Sequence, residues 1–194
     1  MVTSTSATDW SSDMKQTISF VLLALVLAGC ATEQRTTVVD QVNEATGESF
    51  TRMREPLSLA IDRPDLSKVG KDYLLVAPVT IAGSANTGQY LWFGLGTTLD
   101  RAITGAPQPG IDRIVLMVDG VPMTFDLVRW QEAANTEPYD VSMKMTHSFA
   151  SKVTDNQLRR IAGAETLTAY VTNPDHRSPV YDLVSGVPGD WLDF

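Results

Sequence analysis

Tyr139-Asp140-Val141-Ser142-Met143-Lys144-Met145-Thr146-His147-Ser148-Phe149 is the stretch that decides the fold. Tyr139, Val141, Met143, Met145, His147 and Phe149 fall in one row, while Asp140, Ser142, Lys144, Thr146 and Ser148 fall in the other. Successive side chains of a strand point to opposite faces, so a period of two over eleven residues predicts a half-buried β-strand with a single core-facing row.

The flanking sequence repeats the theme. Upstream, Ile114 to Val118 and Val121 to Val128 bracket Asp119-Gly120. That dipeptide between apolar runs predicts a tight hairpin, because both of its central residues take positive φ. Met123, Phe125 and Leu127 share the core-facing row of the second arm. Downstream, Thr154-Asp155-Asn156-Gln157 has the spacing of a capping box. Leu158, Ile161 and Ala162 form the apolar stripe of the helix it opens, and Gly163 ends that helix. Glu165 to Thr172 and Val180 to Val184 return to strand around Asn173-Pro174-Asp175, and the chain ends on Trp191 and Phe194, expected to dock in the core.

Toward the N-terminus, residues 36–42 and 48–54 read as strands around a turn at Gly47. Leu57, Leu59 and Ile61 alternate with Ser58, Ala60 and Asp62, and Pro64 closes that strand. Tyr73 to Ala82 reads as a central strand whose Pro78, lacking a donor, implies a bulge or an edge. Gln89 to Leu95 follows, and a short helix is expected near Leu99 to Ile103 before a Gly/Pro-rich loop. Many short strands with turn signals between them predict a mainly β fold, an antiparallel β-sandwich or barrel-like domain with one short helix in its C-terminal half.

A different signal occupies the start of the chain. After Met14 and Lys15, Ile18 to Ala28 is an almost unbroken apolar run of eleven residues, too short to span a bilayer as a helix. Small residues Ala28 and Gly29 precede Cys30, the single cysteine. Leu27-Ala28-Gly29-Cys30 resembles the lipobox of bacterial lipoproteins. That resemblance implies lipidation of Cys30 by diacylglycerol, recognition of Leu27, Ala28 and Gly29 by the signal peptidase, and cleavage before Cys30. A thiolate is the nucleophile such a thioether requires. The expected organisation is a signal peptide at 1–29 (with 1–13 an extension ahead of a start at Met14), a lipidated Cys and polar tether at 30–35, and one β-rich domain at 36–194. Acyl chains would be the membrane-lipid partner. Ala31, where similar proteins retained in the inner membrane carry Asp, implies an outer-membrane anchor with the domain in the periplasm.

Loss of residues 1–29 removes Lys15, Asp9 and Asp13, leaving 165 residues with 14 basic and 21 acidic side chains and a net charge of −7. That charge argues against nucleic acid as a partner. With Cys30 acylated there is no thiol for a disulfide, a metal or catalysis.

No catalytic residue, cofactor or metal ligand stands out. His147 sits in the apolar row and reads as a packed histidine; His176 reads as a solvated turn residue. The two have no zinc-ligand spacing. A Gly-x-Ser-x-Gly elbow is missing, and Gly94-Leu95-Gly96-Thr97-Thr98 lacks the lysine of a phosphate loop. Asp62 with Asp65, and Asp140 with Glu137, read as solvated strand ends. Tyr90, Trp92 and Phe93 put large rings on both faces of one strand. They are a candidate interaction surface if one face is open, and core if both are covered. The leading expectation is an envelope lipoprotein whose domain binds a protein partner or supports an assembly, without catalysis. A carrier of a small apolar ligand, with a cavity lined by Met143, Met145 and Phe125, and a carboxylate-dependent hydrolase are the alternatives.

Overall fold

The computed structural model describes residues 37–83, 85–99, 111, 113–173, 176–178 and 180–194, with backbone alone at 173, 176, 177 and 193. The expected signal, lipobox and tether, and the helix expected near Leu99 to Ile103, lie outside or almost wholly outside the described residues. No helix among the described residues is long and apolar enough to cross a membrane.

Twelve strands form one sheet: β1 (Val38–Asn43), β2 (Glu48–Met53), β3 (Leu57–Asp62), β4 (Lys71–Ala82), β5 (Gly88–Thr97), β6 (Arg113–Val118), β7 (Val121–Phe125), β8 (Val128–Arg129), β9 (Lys144–Lys152), β10 (Leu167–Asn173), β11 (His176–Arg177) and β12 (Tyr181–Ser185). The order is β7-β6-β10-β12-β3-β4-β5-β9-β8, with β1–β2 added beside β4 and β11 beside β10. Every ladder is antiparallel. Besides a 3-10 segment at Pro188–Asp193, two α-helical segments accompany the sheet among the described residues. One is the single turn α1 (Trp130–Ala133), which the sequence pattern does not announce; the other is the expected helix α2 (Asp155–Ala162). The fold is thus mainly β, a curled antiparallel half-barrel.

The curl follows from connectivity. β7 and β8 end the strand order on opposite sides, yet only Asp126 and Leu127 separate them in sequence, so the two ends must approach each other. Residues turned into the curl form the larger core: Leu59, Leu74, Val76, Leu91, Phe93, Ile114, Leu116, Phe125, Ala169 and their neighbours. Leu158, Ile161 and Ala162 of α2, together with Trp191, add to it. The capping box forms as read: Thr154 Oγ1 accepts from Gln157 N, and Thr154 N donates to Gln157 Oε1 at 2.9 Å. The hairpin turn also forms as read, with φ of 50° at Asp119 and 76° at Gly120.

Pro78 lies inside the sheet, opposite Leu91 of β5. It is tolerated because β4 borders two strands in succession on its other side. β3 pairs with β4 up to Val76 and β2 begins at Val79, so Pro78 falls in the gap where no partner calls for its missing donor.

The strand expected from Tyr139 begins only at Lys144, opposite Thr97, the last residue of β5. Residues before it pair with no strand among the described residues. They fold back over the outer side of the sheet, where Trp130, Ala133, Ala134 and Tyr139 bury Phe50, Leu75, Ala77, Val79, Ile81, Tyr90 and Trp92 in a second core. Within β9 the single row is also broken. Leu95 faces His147 but Gly96 faces Met145, so Thr146 is an extra residue, a bulge. His147 and Phe149 therefore face the inner side with Leu95 and Phe93, and Met145 faces the outer side with Gly96.

Candidate functional site

β9 is paired with β5 along its inner edge, but β8 covers its other edge only at Phe149 and Ala150. The chain then leaves as α1, because Trp130 turns into the outer core (0% exposed), with its Nε1 donating to Thr136 O at 2.7 Å. From Met145 to Ser148 the outer edge of β9 meets no strand among the described residues. A hollow of about 430 Å³ runs beside it, lined by Arg129, Gln131, Glu137 and the consecutive residues Met145 to Phe149. Alternate strand residues point to opposite faces, so a hollow that touches five in a row lies along the edge of the strand.

Glu137 is fixed at the outer lip of this hollow. Its Oε2 accepts from Trp92 Nε1 at 3.1 Å; its Oε1 accepts from Gln131 Nε2 at 3.1 Å and from Ser148 Oγ. All three donors are neutral, and no cation pairs with Glu137 among the described residues. On the inner side, the His147 ring stacks on Phe149 with centroids 6.0 Å apart and planes 7° from parallel. His147 Nδ1 is buried without a hydrogen-bond partner among the described residues. Arg129, opposite Phe149 at the end of β8, is exposed and pairs with no carboxylate among the described residues.

The other expected residues fall elsewhere. Tyr90, Trp92 and Phe93 are 2%, 1% and 0% exposed, so they present no ring to a partner. Their strand is covered on both sides: Tyr139 packs on Trp92 at 5.0 Å outside, and Phe125 packs on Phe93 at 5.5 Å inside. Met143, Met145 and Phe125 do not share a cavity. Phe125 belongs to the inner core while the methionines pack on the outer one. In the Gly94–Thr98 segment, a Cβ at Gly94 would meet Trp92 and Met145, and one at Gly96 would meet Met143. The glycines there admit covering side chains to the sheet; they form no phosphate loop.

Asp62 pairs with Lys71 at 2.6 Å and Asp65 with Arg63 at 3.0 Å, so these carboxylates are engaged with bases. Arg63 also pairs with the buried Asp72 at 2.6 Å, and its hydrogen bond to Asp65 raises its pKa further above the usual range. Among the described residues, the other buried carboxylate, Glu48, accepts from Asn135 N at 3.3 Å and has one oxygen without a partner. It cannot act with Asp72. Ser49 faces Ala82 at the far end of β4, roughly 33 Å from position 72 by strand rise. No group of three His, Cys, Asp or Glu side chains among the described residues could hold a metal. The side chain of His176 is outside the described residues.

The sequence pattern misses the β9 edge for two reasons. The bulge at Thr146 leaves no compositional mark, and Glu137, which is solvent-exposed as expected, gains its three donors Trp92, Gln131 and Ser148 only through the fold. The fold and this edge define a class: a curled antiparallel half-barrel with an open, polar-lined strand edge. No family model matches the chain. No curated protein and no solved structure matches it either.

Proposed function

We propose that the protein is a bacterial envelope lipoprotein, anchored to the outer membrane through acylated Cys30, whose β domain binds a protein partner in the periplasm or supports an assembly there without catalysing a reaction. One observation carries the reading: the single cysteine stands directly behind Leu27-Ala28-Gly29 and an eleven-residue apolar run that follows Lys15. Two or three acyl chains hold a protein stably where one would not. The tether from Ala31 to Arg35 is short, so a partner is met close to the lipid.

The test is labelling with radioactive palmitate. The wild-type chain is expected to take up label and fractionate with the outer membrane. Cys30→Ala is expected to take up none and to retain its signal peptide. Label entering Cys30→Ala would refute the anchor. Photo-crosslinking in intact cells tests the second half of the reading, with wild-type adducts to envelope proteins expected and their complete lack refuting a binding role.

A further inference from the structure

We propose that the open edge of β9, Met145 to Ser148, takes up a short extended peptide segment of a partner protein as an added strand, with a basic residue of that segment facing Glu137. The site rests on the reading of the domain as a protein-binding module and is independent of lipidation at Cys30.

Strand addition supplies affinity through main-chain hydrogen bonds and specificity through alternate side-chain pockets. Both are prepared here. β8 opposes only Phe149 and Ala150, and the hollow of about 430 Å³ continues its line along the rest of the edge. A residue placed opposite Ser148 points its side chain to the outer row, beside Glu137. That carboxylate is exposed, accepts from three neutral donors and pairs with no cation among the described residues, so it favours lysine or arginine. A residue placed opposite His147 points to the inner row, beside the His147–Phe149 stack, and is selected as apolar. Arg129 on that same inner row disfavours a second base there. The partner segment is therefore alternately basic and apolar.

Edge length decides between occupants. Only Met145 to Ser148 is left open beside β8, and the extra residue at Thr146 twists that stretch, so it matches a short segment rather than a long partner such as β9 of a second copy.

The experiment uses the full chain in detergent and the capped pentapeptide Val-Lys-Val-Lys-Val. Amide chemical shifts are followed by NMR. The amides from Met145 to Ser148 are expected to move, and those pointing away from β5 to exchange more slowly with solvent. The same peptide N-methylated on its β9-facing amides is expected not to bind, nor is Val-Glu-Val-Glu-Val. Glu137→Gln should weaken binding about fivefold, the scale of one partly exposed charge pair. The N-methylated control needs no variant, so it decides even if Glu137→Gln loses stability. Equal binding of the N-methylated peptide, shifts centred on another free edge such as β1 or β7, or no binding at all would overturn the site. Protection of the β9 amides by raising protein concentration alone would assign the edge to a second copy and likewise overturn it. Palmitate labelling and crosslinking to envelope proteins are scored on the same chain. If they persist while the peptide fails at β9, the site falls and the broader reading stands; if the peptide binds to a chain that takes no label, the anchor falls and the site stands.

Discussion

Phe93 of β5 and Phe125 of β7 meet with ring centroids 5.5 Å apart and planes tilted by 53°, although five strands lie between them in the sheet. The contact is the seam of the curl. Truncating either ring to alanine should cost about 3 to 5 kcal/mol, because each is within 1% of complete burial. The double variant should cost less than the sum by about 0.5 to 1.5 kcal/mol, the coupling of an aromatic pair. Urea titrations of the four chains measure this. Full additivity would place the two rings in independent parts of the core.

Gly94→Ala should destabilise the domain by about 1 to 3 kcal/mol through overpacking. Its Cβ would collide with the Trp92 ring and lie 2.6 Å from Met145 Cε. Thermal denaturation is the check, and a neutral result would mean that the 139–145 cover can lift off the sheet.

Asp119→Ala should cost about 1 to 2 kcal/mol, since Oδ1 accepts from Glu165 N at 2.9 Å and Thr166 N at 2.8 Å. Those bonds tie the β6–β7 turn to the entry of β10. Asp119→Asn should lose less, because asparagine keeps an acceptor and tolerates the positive φ of 50°. Equal losses in the two variants, read by chemical denaturation, would remove the tie from the account.

Alkaline pH should weaken the fold through Tyr139. Burial pushes this hydroxyl, which donates to Met53 O at 2.9 Å, above its ordinary value of 10. The folded-state value is the raised one. Its contribution is therefore complete below pH 10 and declines above it, as the unfolded chain ionises and the folded chain does not. The decline is about 1.4 kcal/mol per pH unit. Tyr139→Phe should cost about 1 kcal/mol at pH 8 for the lost hydrogen bond, and lose less than the wild type between pH 10 and pH 11. Parallel loss in both proteins, from urea titrations at the two pH values, would put the alkaline sensitivity elsewhere.

Local features were legible because local rules create them. Asp119-Gly120 turned because those two residues accept positive φ; Thr154 and Gln157 capped α2 through contacts three residues apart; alternation announced most strands. The same reasoning failed at Tyr139 to Met143. Alternation there records two burial events, one in β9 and one in the cover over the outer face, and a row of apolar residues does not say which surface buries it. Tyr90, Trp92 and Phe93 showed the same ambiguity, resolved when both faces proved to be covered.

By itself, the sequence determined the β class, the hairpin and the capped helix, since each depends on residues near one another along the chain. Only the tertiary structure decided the curl that joins Phe93 to Phe125, the bulge at Thr146, the gap that tolerates Pro78, and the three donors around Glu137. Those depend on which strands become neighbours. Strand pairing is a competition among non-local contacts, so no residue carries its outcome in its own identity.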